Sequence, residues 1–378
     1  MNDRLTHSAV AERAPAHIRA ISPYQPGKPI SELAREMGLA EGDIVKLASN
    51  ENPLGMSGAA RTAAAAALED LARYPDGNGF ELKAALSAKL GVGLDQLVLG
   101  NGSNDILELA ARALLSPGAS AVYAQYAFAV YPLATNATGA RGIEVAARDF
   151  GHDLDAMAAA ITPDTRIVFV ANPNNPTGTF LPGSAIEAFL RRVPADVLVV
   201  LDEAYTEYLD AQQRYDSIAW IARFPNLLVS RTFSKAYGLA GLRVGYGVGH
   251  PAVVDLLNRV RQPFNVSSVA LAAATAALGD ADFLARSAEL NRAGMRQFTD
   301  AFAGFGLEWI PSAGNFVAVR VGDAAAVNRA LLRQGVIVRP VAGYGMPEWL
   351  RISIGLPEEN ARCIEALRLA LAEVRSAN

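Results

Sequence analysis

A lysine, two hydroxyl residues and an arginine crowd into the stretch TFSKAYGLAGLRVGY, Thr232 to Tyr246. Lys235 sits among small residues, and Arg243 follows eight positions later. A lysine in so cramped a segment is not a freely solvated surface charge. Its amine is placed to condense with an aldehyde, while Thr232, Ser234 and Arg243 suit a phosphate. An aldehyde that carries a phosphate describes pyridoxal 5'-phosphate, which its enzymes hold covalently through a lysine.

Three more segments carry groups that such a molecule needs. The run VLVVL ends in Asp202-Glu203-Ala204-Tyr205. A carboxylate at a buried strand end is costly without a cationic or hydrogen-bonding partner, and a protonated ring nitrogen would be one. Taken alone, Asp202 reads first as a cap for the following helix or as half of an ion pair. The loop NPNNPTG, Asn172 to Gly178, is a rigid turn in which Asn175 can aim its amide at a ligand. Asn175 and Tyr205 would then both donate to a phenolic oxygen. In GNGSNDILE, glycines precede a helix start, so Ser103 and Asn104 would cradle a phosphate, or Ser103 would only cap the helix.

Two tyrosines complete the set. Tyr126 would stack on the face of a bound ring, its alternative being a half-buried core aromatic. Tyr74, in the turn-rich RYPDGNG, reads as a phosphate contact, possible across a subunit boundary, because packing within one lobe explains it poorly.

These groups need a scaffold, and the pattern supplies one. Strands are expected at LVLG (97–100), SAVYA (120–124), RIVFVAN (166–172), VLVVLDE (197–203), NLLVSRT (226–232) and VGYGVG (244–249). Several are apolar throughout, as strands covered on both faces are. Between them run helical patterns such as NDILELAARALL, with Leu107, Ala110, Ala111 and Leu114 on one face. Alternation of this kind predicts an α/β fold with a mostly parallel sheet between helices, whose ligands gather beyond the carboxyl ends of the strands. The candidate groups lie at such ends. After about residue 280 a long helix precedes FVAVRV, VIVRPV and LRISIG, which predicts a smaller α+β domain. The expected division is a mobile tail over 1–14, a large domain over 46–279, and a small one built from 15–45 and 280–378.

Composition narrows the function classes. The chain has 378 residues, 51% hydrophobic, with a formal net charge of -4, which gives no footprint for nucleic acid or a membrane surface. Four histidines leave little room for a histidine-rich metal site, so no metal is expected, and the one cysteine, Cys363, excludes an internal disulfide. The N-terminus lacks the apolar core of a signal peptide, and the stretch Val269 to Leu278 is too short to span a bilayer. A cytoplasmic protein is expected.

Ser103, Tyr126, Asn175, Asp202, Tyr205, Lys235 and Arg243 occur in an order and context that resemble the fold type I pyridoxal-phosphate-dependent aminotransferases. Within them the chain looks most like the histidinol-phosphate aminotransferases, on LASNENPLG (47–55), RYPDGNGFELK (73–83), GNGSNDILE, ANPNNPTG, VLDEAY, TFSKAYGLAGLRVGY, VIVRPV and LRISIG. Two words differ from the commoner family pattern. Ala124-Gln125 precede Tyr126 where a proline and a small hydroxyl residue are frequent, and Asn104 stands where an aspartate is frequent.

The resemblance implies a homodimer with a shared active site, in which Tyr74 reaches the neighbour's cofactor phosphate. It implies amino transfer between L-histidinol phosphate and 2-oxoglutarate, with Lys235 as the proton-moving base. Arg351 would bind a substrate phosphate in one half-reaction and a carboxylate in the other, with Arg339, Tyr24 and Asn52 nearby. Three alternatives share these motifs: an aromatic amino-acid aminotransferase, a threonine-phosphate decarboxylase, and a non-catalytic binding protein on the same fold.

Overall fold

The structure, a computed structural model, describes residues 8–377. Its strands are β1 (Val45–Lys46), β2 (Leu97–Gly100), β3 (Ser120–Ala124), β4 (Arg141–Val145), β5 (Thr165–Ala171), β6 (Leu198–Asp202) and β7 (Leu227–Thr232). They continue as β8 (Gly245–Gly249), β9 (Trp309–Ile310), β10 (Phe316–Arg320), β11 (Val336–Ile337), β12 (Arg339–Pro340) and β13 (Trp349–Ser353). Seven of them form the main sheet, in the order β2-β8-β7-β6-β5-β3-β4. β8 runs against both its neighbours, and the other pairings are parallel. This is the mostly parallel α/β sheet that the sequence pattern predicts.

Side chains that alternate along β5 and β6 explain why those runs are apolar throughout. Val168, Val170, Val199 and Leu201 enter one core, while Ile167, Phe169, Leu198 and Val200 enter another on the opposite face. Helices cover both faces, so neither face keeps polar residues. β4 escaped the sequence reading because it is an edge strand with the word RGIEV, largely accessible and without an apolar run. Only its last residue, Val145, is buried.

A second, antiparallel sheet follows, in the order β12-β13-β10-β9. The helix Ala281–Gly304 reaches it, contributing Phe298 and Phe302 to a core that also holds Val317, Ile352 and Leu367. β1 pairs in parallel with β11, so the chain entering the main lobe is stitched to the small one. Of the tail expected over 1–14, residues 1–7 lie outside the described part, and Ala9–Arg13 forms an exposed helical turn after Ser8.

One junction in the main sheet decides where a ligand can sit. The end of β2 pairs with the start of β8 beside the loop that leads into helix Ser103–Leu114. Gly102 stands at the N-cap with φ 80° and no side-chain cap bond, so the first N–H groups of the helix are left open. A Cβ on Gly102 would collide with the Arg243 guanidinium, and one on Gly245 would meet the Ser103 amide at 2.5 Å. Glycine is required at Gly102 by both conformation and space. Gly102→Ala is therefore expected to lower unfolding stability in urea by about 1–3 kcal/mol. It should also weaken capture of phosphorylated ligands, which the distant surface change Arg368→Ala should leave intact.

Candidate active site

The carboxyl ends of β5, β6 and β7 and the small lobe enclose a cleft of about 250 Å³. Asp202 is the last residue of β6 and is 5% exposed. Its Oδ2 accepts a hydrogen bond from the Tyr131 hydroxyl at 3.0 Å, while its Oδ1 is buried without a hydrogen-bond partner among the described residues. Burial raises its pKa to about 6, against the opposing pull of the Tyr131 bond. No ion pair compensates it among the described residues. The neighbouring Glu203 does have one, to Arg231 at 2.8 Å. Adjacent residues of an extended chain point to opposite sides, so one carboxylate lines the cleft and the next is locked beneath it.

Lys235 follows β7 and donates from Nζ to the Ser49 carbonyl at 3.1 Å. Burial, then the charge of Arg351, lowers its pKa from 10.5 to about 8. Tyr205 lies beside it, the Lys235 Nζ standing 5.9 Å from its ring centroid. The Tyr205 hydroxyl accepts from Asn50 Nδ2 at 3.0 Å, which leaves its own hydrogen free for a ligand, and burial pushes its pKa up to about 12.

Arg351, on β13, is 6% exposed. It donates from Nη1 to Asn175 Oδ1 at 2.6 Å and from Nη2 to the Ala48 carbonyl at 2.8 Å, and its Nε has no partner. Among the described residues no carboxylate pairs with it. An uncompensated buried guanidinium is costly and suits an incoming anion. Because Asn175 gives its oxygen to Arg351, its amide N–H groups are what it can offer the cleft. Arg339 donates to the Gln25 carbonyl at 2.7 Å and stands over the Tyr24 ring, so both line the mouth of the cleft.

The floor on the other side carries Ser103, Asn104, Thr232, Ser234 and Arg243. Arg243 Nη1 donates to Ser234 Oγ at 3.2 Å, and the Ser234 amide donates to Thr232 Oγ1 at 3.1 Å. With the open helix start, they form a compact anion cradle.

Three expected residues are not brought here. Tyr126 does not line the cleft. Its backbone turns left-handed (φ 56°), and its ring packs on Phe150 at 5.9 Å, beside Tyr344. Phe128, two positions on, lines the cleft instead. This corrects the stacking assignment, and the departure of Ala124-Gln125 from the family word was the available signal. Asn52 points away: its Nδ2 donates to the Ala236 carbonyl and to Ser287 Oγ, both at 2.8 Å, bracing the residue after Lys235. Asn50 takes the cleft position through Tyr205. Tyr74 is 83% exposed and stacks on Phe264 at 4.7 Å, outside the cleft of its own chain. Tyr131 was missed from sequence because no motif marks it.

The donor set fits a phosphorylated pyridine aldehyde. It offers an amine, an unsatisfied carboxylate oxygen for a ring nitrogen, two donors for a phenolic oxygen and a phosphate cradle. The model of the aminotransferase class I and II family matches residues 42–367. The chain belongs to the class I and II aminotransferases. This aminotransferase is 71% identical over 361 residues to a histidinol-phosphate aminotransferase 1 from Cupriavidus pinatubonensis, covering 94% of this chain and 96% of that one. It is 69% identical over 367 residues to a histidinol-phosphate aminotransferase 2 from Ralstonia nicotianae, covering 96% and 98%. Its fold is similar to a crystal structure of histidinol-phosphate aminotransferase from Sinorhizobium meliloti in complex with pyridoxal-5'-phosphate. The TM-score is 0.89 and the identity 29%, over 98% of this chain and 100% of that one.

The depressed lysine makes a pH prediction. A lowered pKa puts the free amine within reach at moderate pH. The rate at which the stripped aminotransferase captures pyridoxal 5'-phosphate should rise with pH and level off above about 8, not climb toward 10.5. Arg351→Leu, which removes a like charge, should move that midpoint upward. Stopped-flow absorbance across pH reads both.

Proposed function

We propose that this chain transfers the amino group of L-histidinol phosphate to 2-oxoglutarate with pyridoxal 5'-phosphate, giving imidazole acetol phosphate and L-glutamate in L-histidine biosynthesis. The observation that carries the reading is the buried Arg351, without a carboxylate partner among the described residues, in the same cleft as the depressed amine of Lys235. Relatives at 71% and 69% identity, named for histidinol phosphate, support the substrate assignment.

When bound, pyridoxal 5'-phosphate supplies a ring that takes up the electron pair of the cleaving bond. The chain's own groups do the rest. Lys235 Nζ removes the proton from the substrate carbon that bears the amine, and returns a proton later in the cycle. Asp202 Oδ1 would accept the hydrogen of the ring nitrogen, which would keep that nitrogen cationic. Tyr205 and Asn175 would donate to the phenolic oxygen, and Phe128, which lines the cleft, would offer its ring as an apolar contact. Ser103, Asn104, Thr232, Ser234 and Arg243 would hold the phosphate of the cofactor. Arg351, with Arg339 and Tyr24 at the mouth, holds the substrate phosphate in one half-reaction and a carboxylate in the other. Planar guanidinium matches both anions in bidentate fashion.

The same reading includes a homodimer. Tyr74, Phe80 and Phe264 are large aromatics exposed at 83%, 56% and 46%. Tyr74 and Phe264 stack on each other, and exposed apolar surface of this kind suits a partner, from which Tyr74 would reach the cofactor phosphate of the other subunit. We place the large domain at 46–279 and the small one at 15–45 and 280–378. Among the described residues no single helix is long and apolar enough to cross a membrane. With bacterial biosynthetic relatives, this favours a cytoplasmic location.

The test is kinetic. Turnover with L-histidinol phosphate and 2-oxoglutarate should exceed turnover with L-phenylalanine at matched concentrations. A preference for phenylalanine would move the assignment to the aromatic aminotransferases, and carbon dioxide release from threonine phosphate would make the chain a lyase. Lys235→Ala should lose turnover by roughly a thousandfold or more, a loss on the order expected for removing general acid–base catalysis, while keeping some cofactor affinity.

A further inference from the structure

The proposed function draws on groups that line the cleft, but not on the group behind Asp202. Tyr131 is fully buried and does not line the cleft. Its hydroxyl donates to Asp202 Oδ2 at 3.0 Å. Its ring is clamped: it lies parallel to Phe169 at 4.8 Å and 5°, and meets Phe128 edge-on at 5.9 Å and 86°. The backbone is braced as well, since Thr135 Oγ1 donates to the Tyr131 carbonyl at 2.8 Å.

A carboxylate on a single-bonded side chain can rotate and present either oxygen. Here one oxygen is tied to a phenol that has no freedom to follow, and the untied Oδ1 is the one left for a ligand. A hydrogen bond to a carboxylate also favours its ionised form, which opposes the cost of burying it. Packing alone would not require the hydroxyl, because phenylalanine fills the same space between Phe169 and Phe128.

We infer that Tyr131 is a positioning residue for the cofactor ring, acting through Asp202: its hydroxyl fixes the carboxylate so that Oδ1 meets the ring nitrogen. This rests on the pyridoxal-phosphate reading above. Its consequence is specific, because only a cofactor with a nitrogen at that ring position can sense it.

The experiment compares dissociation constants of the full-length, cofactor-stripped protein for pyridoxal 5'-phosphate and for its analogue with carbon in place of the ring nitrogen, by fluorescence quenching. Tyr131→Phe should weaken pyridoxal 5'-phosphate on the order of tenfold or more, as loss of a hydrogen bond to a charged group does. It should leave affinity for the carbon analogue unchanged. In an Asp202→Asn background, Tyr131→Phe should add little further loss. Equal weakening for both cofactors would assign Tyr131 to packing and overturn the inference, and no weakening for either would do the same. If the wild-type protein bound neither cofactor, the functional reading itself would fail, a result distinct from both.

Discussion

The carboxylate of Asp202, buried with one oxygen unsatisfied, is the constraint around which the site is built. An ionised acid in such a place is expensive, and among the described residues no ion pair neutralises it. The neighbouring cation, Arg231, belongs to Glu203. Alternation at the end of β6 keeps these two acids apart in role: one is closed off in an ion pair, the other faces the cleft with a phenol behind it. The nearby charge of Lys235 offsets part of that cost, and a cationic ligand would offset more. The apoprotein thus holds in its fold an unfavourable term that a protonated ring nitrogen relieves, and binding selectivity follows from that.

The cationic side of the site is arranged on the same principle. Lys235 and Arg351 line one cleft, and the like charge of Arg351 helps depress the lysine. What stops the two from being simply repelled is the segment before Glu51, whose carbonyls receive both. Lys235 donates to Ser49 and Arg351 to Ala48. The segment is fixed in turn by Asn50, whose amide donates to Ser353 Oγ and whose carbonyl accepts from Asn315. Residues 47–52 therefore join the lobes largely through hydrogen bonds. Groups from both sheets are held in register by a linker with little regular structure of its own.

The parts of the molecule legible in the sequence were those with a strong local signal. Buried parallel strands declare themselves as apolar runs, and β2, β3, β5, β6, β7 and β8 lie where the runs are, to about a residue at each end. Lys235, Asp202 and Asn175 could be picked out because each sits in a distinctive word at or just past a strand end, and Arg351 because it is a charge in the middle of the otherwise apolar strand β13. The failures were of register within a word. Tyr126 and Phe128, like Asn52 and Asn50, are two positions apart, and only the backbone path decides which side chain turns into the cleft. In both pairs the left-handed residues, Tyr126 and Asn50, lie at the turn, a conformation that composition does not announce for non-glycine residues. Tyr131 was illegible for another reason: its function lies in one contact across 71 residues of sequence separation.

The bond between Arg351 and Asn175 couples the two ends of the site. Arg351 donates to Asn175 Oδ1, and both line the cleft; in the proposed function one would meet the substrate anion and the other the phenolic oxygen of the cofactor. An anion arriving at Arg351 competes with Asn175 Oδ1 for the same guanidinium face. As that bond weakens, the asparagine is freer to align its amide on the cofactor. The buried guanidinium, unpaired with any carboxylate among the described residues, would on that reading be a receptor whose occupancy is felt at Asn175 through their shared hydrogen bond. Placing both residues on one hydrogen bond would let the charge at Arg351 be felt at Asn175 through a direct contact.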